Sequence, residues 1–97
     1  MEITDISISL RDEDKLKAFV NVTFDGCFVV RGMKVIEGNN GLFVSMPSRK
    51  ANDGTYRDVA HPINAEFREL IEKMILAKYQ ELIKSGGTAD NSDSDNY

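Results

Sequence analysis

Residues 3–24 alternate apolar and polar side chains with a period of two, which is the pattern of β-strands that bury one face. A charged turn, Asp12 to Lys15, interrupts the alternation. Two such strands joined by a short polar turn predict an antiparallel hairpin, so the fold begins as a sheet. Its apolar face consists of Ile6, Ile8 and Leu10 on the first strand and of Leu16, Ala18, Val20, Val22 and Phe24 on the second.

Two further turns extend this hairpin into a larger sheet. Asp25-Gly26 suits the positive φ angles of a type I′ turn, and residues 38–41, Gly-Asn-Asn-Gly, form the next turn. They enclose a third strand from residue 27 to about residue 36, in which Gly32 indicates a bulge or a close approach of the backbone. Residues 42–46 predict a fourth strand, which Pro47 ends, so four strands follow one another as a meander.

The last apolar segment has helical periodicity and predicts one helix from Ala65 to about Lys84. Asn64 is placed to cap its start, and Ser85-Gly86-Gly87 to end it. Its apolar residues spread over two adjacent stripes, whereas one small sheet covers only one. The second stripe predicts a second copy of the chain in a two-fold dimer, unless the strands curl around the helix and cover both. The stripes are Phe67, Leu70, Ile71, Met74 and Ala77, and Ile75, Leu76, Tyr79, Leu82 and Ile83.

These elements define the expected fold class, which is α+β. We expect one domain over residues 1–85, an antiparallel β-meander of four to five strands followed by one long C-terminal helix, as a homodimer. Residues 86–97, GGTADNSDSDNY, have almost no apolar content and predict a disordered acidic tail. A chain of 97 residues leaves no room for a second domain.

Composition excludes several classes of protein. A single cysteine, Cys27, and a single histidine, His61, provide neither an intrachain disulfide nor a four-ligand zinc site. Nothing else indicates a metal, a cofactor or a small-molecule substrate. There is no run of about 18 apolar residues and no signal-peptide pattern at the start, so we expect a cytoplasmic protein without a membrane partner.

An enzyme centred on His61, with Asp58 nearby, has little support because no nucleophile motif and no phosphate-binding glycine loop accompany it. A histidine that hydrogen-bonds the backbone near the helix start is the better interpretation. Cys27, beside a turn, is better explained as a packed or partly exposed thiol than as a nucleophile. We therefore expect a protein that is not an enzyme and has no catalytic residues.

The formal net charge of −4 is concentrated at the C-terminus. Asp90, Asp93 and Asp95 carry three of the 16 acidic charges and no base follows Lys84, so residues 1–84 hold 12 basic and 13 acidic groups. A nearly neutral domain is unlike a nonspecific nucleic-acid binder coated in positive charge, but it permits a local basic patch.

Such a patch is predicted around residues 48–54, which form a polar loop, and residues 55–60, a short fifth strand or extended segment. Arg49, Lys50 and Arg57 are its bases, and Tyr56 adds an aromatic ring. Arginine forks bind phosphate oxygens and tyrosine stacks on exposed bases, so these four residues are the candidate DNA or RNA site. The alternative is a solvated loop whose bases pair locally with Asp53 and Asp58.

The stretch from Val35 to Asn64 resembles the SpoVG family, the stage V sporulation protein G or septation regulators of bacteria. The matching segments are Gly-Asn at 38–39, Gly-Leu-Phe-Val at 41–44, Met-Pro-Ser at 46–48, the basic pair at 49–50, Asp-Gly at 53–54 and Arg-Asp-Val-Ala-His-Pro-Ile at 57–63. The opening MEITDISI, the segment FVNVTFDG and the helix are also similar to the family, so the resemblance extends over residues 1–84. Ala51-Asn52 departs from the family pattern, since many relatives have Thr-Pro there.

The resemblance implies a dimeric α+β domain that binds DNA and RNA. It further implies a regulator of gene expression in sporulation, septation and cell division, including negative control of asymmetric septation. It assigns nucleic-acid binding to the bases of the loop, here Arg49, Lys50 and Arg57, and less directly to helix bases, here Arg68, Lys73, Lys78 and Lys84.

The residues leave one alternative function open. The domain could instead act as a protein–protein interaction module of cell-division regulation, docking through strand edges or the second helical stripe without direct nucleic-acid binding.

The acidic tail generates a first prediction. If it competes with phosphates for the basic loop, deleting residues 86–97 tightens nucleic-acid binding at low salt, because exposed charges attract one another most strongly when unscreened. Fluorescence-anisotropy titrations of the full and shortened chains measure this. Equal affinity of the two chains would dispose of the idea.

Overall fold

The computed structural model describes residues 1–86, and in this part of the chain six strands precede one helix. The α+β class and the order of its elements are confirmed. The strands are β1 (Ile3–Leu10), β2 (Leu16–Phe24), β3 (Phe28–Gly38), β4 (Gly41–Ser45), β5 (Ser48–Lys50) and β6 (Tyr56–Asp58), and the helix is α1 (Ala65–Lys84).

The first four strands form one antiparallel sheet in the order β1-β2-β3-β4, which confirms the predicted meander. Ile8 pairs with Val20, and Ala18 pairs with Val35, so the apolar positions of neighbouring strands share one face. The turn between β2 and β3 has the predicted form, since Asp25 and Gly26 both have positive φ, 53° and 63°.

The predicted irregularity at Gly32 is a β-bulge. Val20 pairs with Met33 and Val22 pairs with Val30, so the single residue Asn21 faces both Arg31 and Gly32. Gly32 has a φ of 86°, and a methyl group added to it would lie 3.7 Å from Cβ of Pro47. The segment that leaves β4 therefore passes directly beside the bulge.

Helix α1 covers the apolar face of this sheet with a line of residues four positions apart, Ile71, Ile75 and Tyr79. This line takes Ile71 from one predicted stripe and the other two from the second, so the predicted division into a covered and an uncovered stripe is wrong. Residues four apart advance by about 40° around the helix, so an i, i+4 ridge packed on a sheet runs obliquely across both stripes. The buried core comprises Ile6, Leu10, Ala18, Val20, Val22, Phe24, Met33, Val35, Val44, Met46, Ile71, Ile75 and Tyr79.

The helix ends are those that the sequence predicts. The side-chain oxygen of Asn64 accepts a hydrogen bond from Phe67 N–H at 2.7 Å, and at the other end Gly86 N–H donates to the Ile83 carbonyl with a φ of 87° at Gly86. Apart from Gly86, the predicted disordered tail lies outside the described residues. No helix in the described part of the chain is long and apolar enough to cross a membrane.

The buried line of helix residues, Ile71, Ile75 and Tyr79, leads to a second prediction. Ile75 is fully buried, so Ile75→Ala removes packed methylene groups, leaves a cavity and should lower the free energy of unfolding by about 2–5 kcal/mol. The same truncation at Ile83, which is 42% exposed, should cost less than about 1 kcal/mol. Chemical denaturation of both variants at one protein concentration measures the difference, and equal losses would contradict the assignment of the covered line.

Candidate nucleic-acid interface

The segment after β4 forms a small separate sheet, in which β5 pairs antiparallel with β6. The predicted fifth strand is present as β6, but the prediction that residues 48–54 are all loop is wrong, since residues 48–50 are its partner strand. All six residues of the two strands are exposed. A pair of strands with no buried face has no apolar alternation, which is why the sequence pattern missed β5.

The turn that joins these strands has a defined geometry. Gly54 N–H donates to the Ala51 carbonyl at 3.1 Å, Ala51 N–H donates to the Thr55 carbonyl at 2.7 Å, and Gly54 has a φ of 86°. This is a tight turn followed by a left-handed glycine, a common hairpin connection. At the base, Val59 N–H donates to the Pro47 carbonyl at 2.7 Å. We call residues 48–58 the basic hairpin.

The register of the basic hairpin brings all four candidate residues together in two pairs. Arg49 lies opposite Arg57, and Lys50 lies opposite Tyr56. Directly opposed residues share a face and neighbouring residues alternate, so one face presents two guanidinium groups and the other an ammonium group beside a phenol ring. Tyr56 is 71% exposed, which leaves its ring accessible to a stacking partner.

The opposed arginines are electrostatically unfavourable in isolation. Like charges directly across an antiparallel pair destabilise the hairpin, and an anion bound between them removes that repulsion. A phosphate group has the charge and the oxygen acceptors for two guanidinium groups. This face can therefore bind a phosphate between its two guanidinium groups.

Asp53 in the turn is the acid that interacts with the hairpin bases. It accepts hydrogen bonds from Thr55 O–H at 2.6 Å and Thr55 N–H at 3.1 Å. The Thr55 hydroxyl first, and then the Thr55 backbone N–H, lower the pKa of Asp53 by stabilising its carboxylate. The carboxylate in turn lies 3.7 Å from the Arg57 guanidinium.

The alternative of local pairing thus applies to one base. The Arg57–Asp53 pair joins side chains that are 73% and 58% exposed, so water screens it strongly and a phosphate can replace it. Among residues 1–86, neither Arg49 nor Lys50 has an acidic side chain within ion-pair distance. Two of the three bases on the hairpin therefore remain available to a ligand in this part of the chain.

Beside the base of the hairpin lies an apolar groove of about 400 Å³. It opens between the β2–β3 turn, the start of α1 and residues 60–64, and it includes Met33, Met46 and Phe67. Two of its lining residues are strongly exposed, Phe28 at 63% and Ile63 at 92%. Sequence reasoning missed this groove, although two apolar residues immediately after turns, Phe28 after Cys27 and Ile63 after Pro62, were a signal for it.

His61 lies at the rim of the groove, with Nδ1 2.9 Å from the Pro62 carbonyl oxygen. This contact to the backbone agrees with the interpretation of a structural histidine. Within residues 1–86, no hydrogen bond joins His61 to Asp58, the acid considered for it. Cys27 is exposed in the β2–β3 turn and its thiol is free.

Fold and site together define a small α+β domain that carries a protruding basic β-hairpin. The SpoVG family model matches residues 1–81. A relative from Anaeromyxobacter sp. (strain K) is 51% identical over 89 residues, which cover 92% of this chain and 88% of the relative. One from Caldicellulosiruptor saccharolyticus is 49% identical over 87 residues, covering 89% of this chain and 99% of the relative. Both bear the name "Putative septation protein SpoVG".

A third relative of that name, from Myxococcus xanthus, is 52% identical over 80 residues, covering 82% of this chain and 81% of its own. A match that extends over nearly the whole domain at this level of identity shows the family. The chain belongs to the SpoVG family, as the motifs between residues 35 and 64 indicate.

The turn of the basic hairpin generates a third prediction. Thr55→Val removes the hydroxyl that is the main cause of the lowered pKa of Asp53, so that pKa should rise towards its ordinary value. The pair with Arg57 requires the carboxylate, so on acidification the variant should lose it at a higher pH than the parent. NMR titration of the Asp53 side chain measures both, and Thr55→Ser, which keeps the hydroxyl, should titrate like the parent. Identical Asp53 titration curves for Thr55→Val and the parent would contradict the assignment of the Thr55 hydroxyl as the main cause of the lowered pKa.

Proposed function

We propose that this protein is a homodimeric, cytoplasmic, non-enzymatic regulator of gene expression that binds DNA or RNA through the basic hairpin. The observation that supports this most is the register of β5 and β6, which sets Arg49 opposite Arg57 and Lys50 opposite Tyr56. A nearly neutral domain that brings three exposed bases together on one hairpin gains affinity for phosphates locally, without a general attraction to polyanions.

The two faces of the hairpin make different contacts with nucleic acid. The arginine face contacts backbone phosphates, and each phosphate contact releases counterions, so affinity falls steeply as salt rises. The other face adds the Tyr56 ring, which stacks on an unpaired base, beside the Lys50 ammonium. A two-fold dimer presents two hairpins and doubles the number of phosphate contacts.

The apolar groove supports the homodimer. Phe28 and Ile63 expose large apolar surfaces beside a groove of about 400 Å³, and a second copy that covers them removes this area from water. Leu70 on the helix is 45% exposed and lies outside the line that the sheet covers, so it adds to the apolar area that a second copy would cover. In an isologous dimer the groove of each copy receives the exposed side chains of the other.

The cellular role that we propose is control of septation and cell division, including sporulation. It follows from family membership and from the septation name that the relatives bear. Within this role, the resemblance stated above specifies negative control of asymmetric septation through regulated gene expression.

A double charge reversal on the hairpin tests the binding site. Arg49→Glu with Lys50→Glu should reduce affinity for a duplex DNA and for a single-stranded RNA at least tenfold at low salt, because two phosphate contacts become repulsive. Both residues are exposed, so the fold should be unaffected. Fluorescence anisotropy measures the affinities, and circular dichroism with a thermal melt checks the fold.

The matched control is Lys15→Glu with Lys17→Glu, two lysines beside the β1–β2 turn that belong to no candidate site and give the same change in net charge. It should change affinity no more than about threefold, since only the general field of the protein is altered. A folded hairpin variant that binds as tightly as this control would show that the hairpin is not the binding surface.

The groove also favours a second candidate function, a protein–protein interaction module of cell-division regulation. Here an apolar segment of another protein, and not a second copy, occupies the groove. Affinity capture after nuclease treatment distinguishes the two. A defined partner that is retained by the parent, lost in Phe28→Asp and unaffected by the hairpin charge reversal would favour this module.

A further inference from the structure

The four-stranded sheet has a second face, opposite the helix, which we call the open face. Register places Ser9, Phe19, Lys34 and Ser45 in one row across β1, β2, β3 and β4. Their neighbours along the strands, such as Val20 and Val35, are buried on the helix side, so this row faces the other way. None of these residues belongs to the basic hairpin.

Cations and aromatic rings both lie on the open face. The guanidinium carbon of Arg11 lies 5.1 Å from the centre of the Phe19 ring, a cation–π contact. Lys34 lies directly opposite Phe19 on the neighbouring strand, and Arg31 is exposed in the bulge that faces Asn21. Phe43, 42% exposed, lies opposite Ile36 on the same face and adds a second ring.

The open face also contains an unsatisfied buried hydroxyl. Ser9 is 7% exposed, and its Oγ has no hydrogen-bond partner within residues 1–86. Ser9 lies directly opposite Phe19, in the row that contains Lys34. Because this oxygen has almost no accessible surface, a ligand on the open face does not reach it.

Acidic residues confine the cationic surface to one side of the open face. Asp5 lies opposite Thr23 near one end of β1, and the turn Asp12 to Asp14 follows the other end. Arg31 and Lys34 lie on β3, one strand further from this acidic edge than Phe19. A methyl group added to Gly32 would lie 3.7 Å from Cβ of Pro47, so the bulge that contains Arg31 lies beside the segment that leads into the basic hairpin.

We propose that the open face is a second nucleic-acid surface that binds single strands, with Arg31 and Lys34 at the phosphates and a base stacked on the exposed ring of Phe43. Sheet faces that combine rings and cations suit unpaired bases, whereas the bases of a duplex are stacked inside it and cannot lie on a flat ring. This inference rests on the proposed nucleic-acid binding and deepens it. A strand held by the hairpin continues past Arg31 onto the sheet, so single strands gain contacts that duplexes do not.

The test compares a 20-nucleotide oligouridine with a 20-base-pair DNA duplex in anisotropy titrations at several salt concentrations. Arg31→Gln with Lys34→Gln should weaken oligouridine binding roughly tenfold and reduce its log–log salt slope by about 1.4, because single strands lose about 0.7 per phosphate contact. Duplex binding should change less than about threefold. Lys15→Gln with Lys17→Gln is the matched control for net charge.

A second variant tests the stacking. Phe43→Leu keeps an apolar side chain on the open face but removes the exposed aromatic ring, so oligouridine binding should weaken with an unchanged salt slope. Circular dichroism and solution mass accompany every variant, and Arg31→Gln alone, at an exposed position, replaces the double variant if that one does not fold.

The binding results distinguish failure of the second surface from failure of the proposed function. The second surface is wrong if the hairpin charge reversal abolishes binding while the open-face variant has the same affinities as its control. It is also wrong if the open-face variant weakens duplex and oligouridine binding equally. In both cases the proposed function stands. If the parent binds neither ligand at low salt, the proposed function is wrong as well. If the open-face variant becomes a monomer, the face is an interface between copies and the inference is overturned.

Discussion

Packing of Ile71, Ile75 and Tyr79 against one face of the four-stranded sheet is the interaction on which the rest of the structure depends. A meander of four strands has two faces, and burying only one of them needs a single amphipathic partner. The helix supplies it and thereby decides which surfaces remain for function. These surfaces are the open face of the sheet, the basic hairpin, and the groove beside the start of the helix.

The basic hairpin is stabilised by its connections and not by a core. All six of its strand residues are exposed, and its two strands are joined at one end by the turn at Asp53-Gly54 and at the other by the bond between Val59 and Pro47. Two arginines opposed on such an element are tolerated because water screens them, and they become favourable when an anion lies between them. The feature that adds least to folding is thus the one best suited to bind phosphate.

Much of this fold could be predicted from the sequence because burial imposes periodicity. The alternation in β1 and β2, the Asp25-Gly26 turn, the bulge at Gly32 and the cap at Asn64 each follow from local rules, and each is present. The covered line of the helix was assigned wrongly, because the wheel shows which residues are apolar but not the angle at which a helix crosses a sheet.

The candidate site was predictable in composition but not in geometry. Arg49, Lys50, Tyr56 and Arg57 stood out as bases and a ring close together in sequence, yet β5 has no buried face and so leaves no pattern. Their pairing depends on the turn at residues 51–54, which sets the register. The groove and the open face depend on contacts between distant segments, such as Gly32 with Pro47, which a single sequence does not reveal.

Dimeric binding of nucleic acid through phosphate contacts is the proposal on which the assigned role of the basic hairpin depends. The measurement that tests it most directly is a titration of the unaltered protein with duplex DNA and with RNA over a range of salt concentrations, together with its mass in solution. We expect a species of about 22 kDa, twice the 10.9 kDa of the chain, whose affinity falls linearly on a log–log plot as salt rises. A monomer that binds neither nucleic acid at low salt would contradict the proposal of a nucleic-acid-binding dimer.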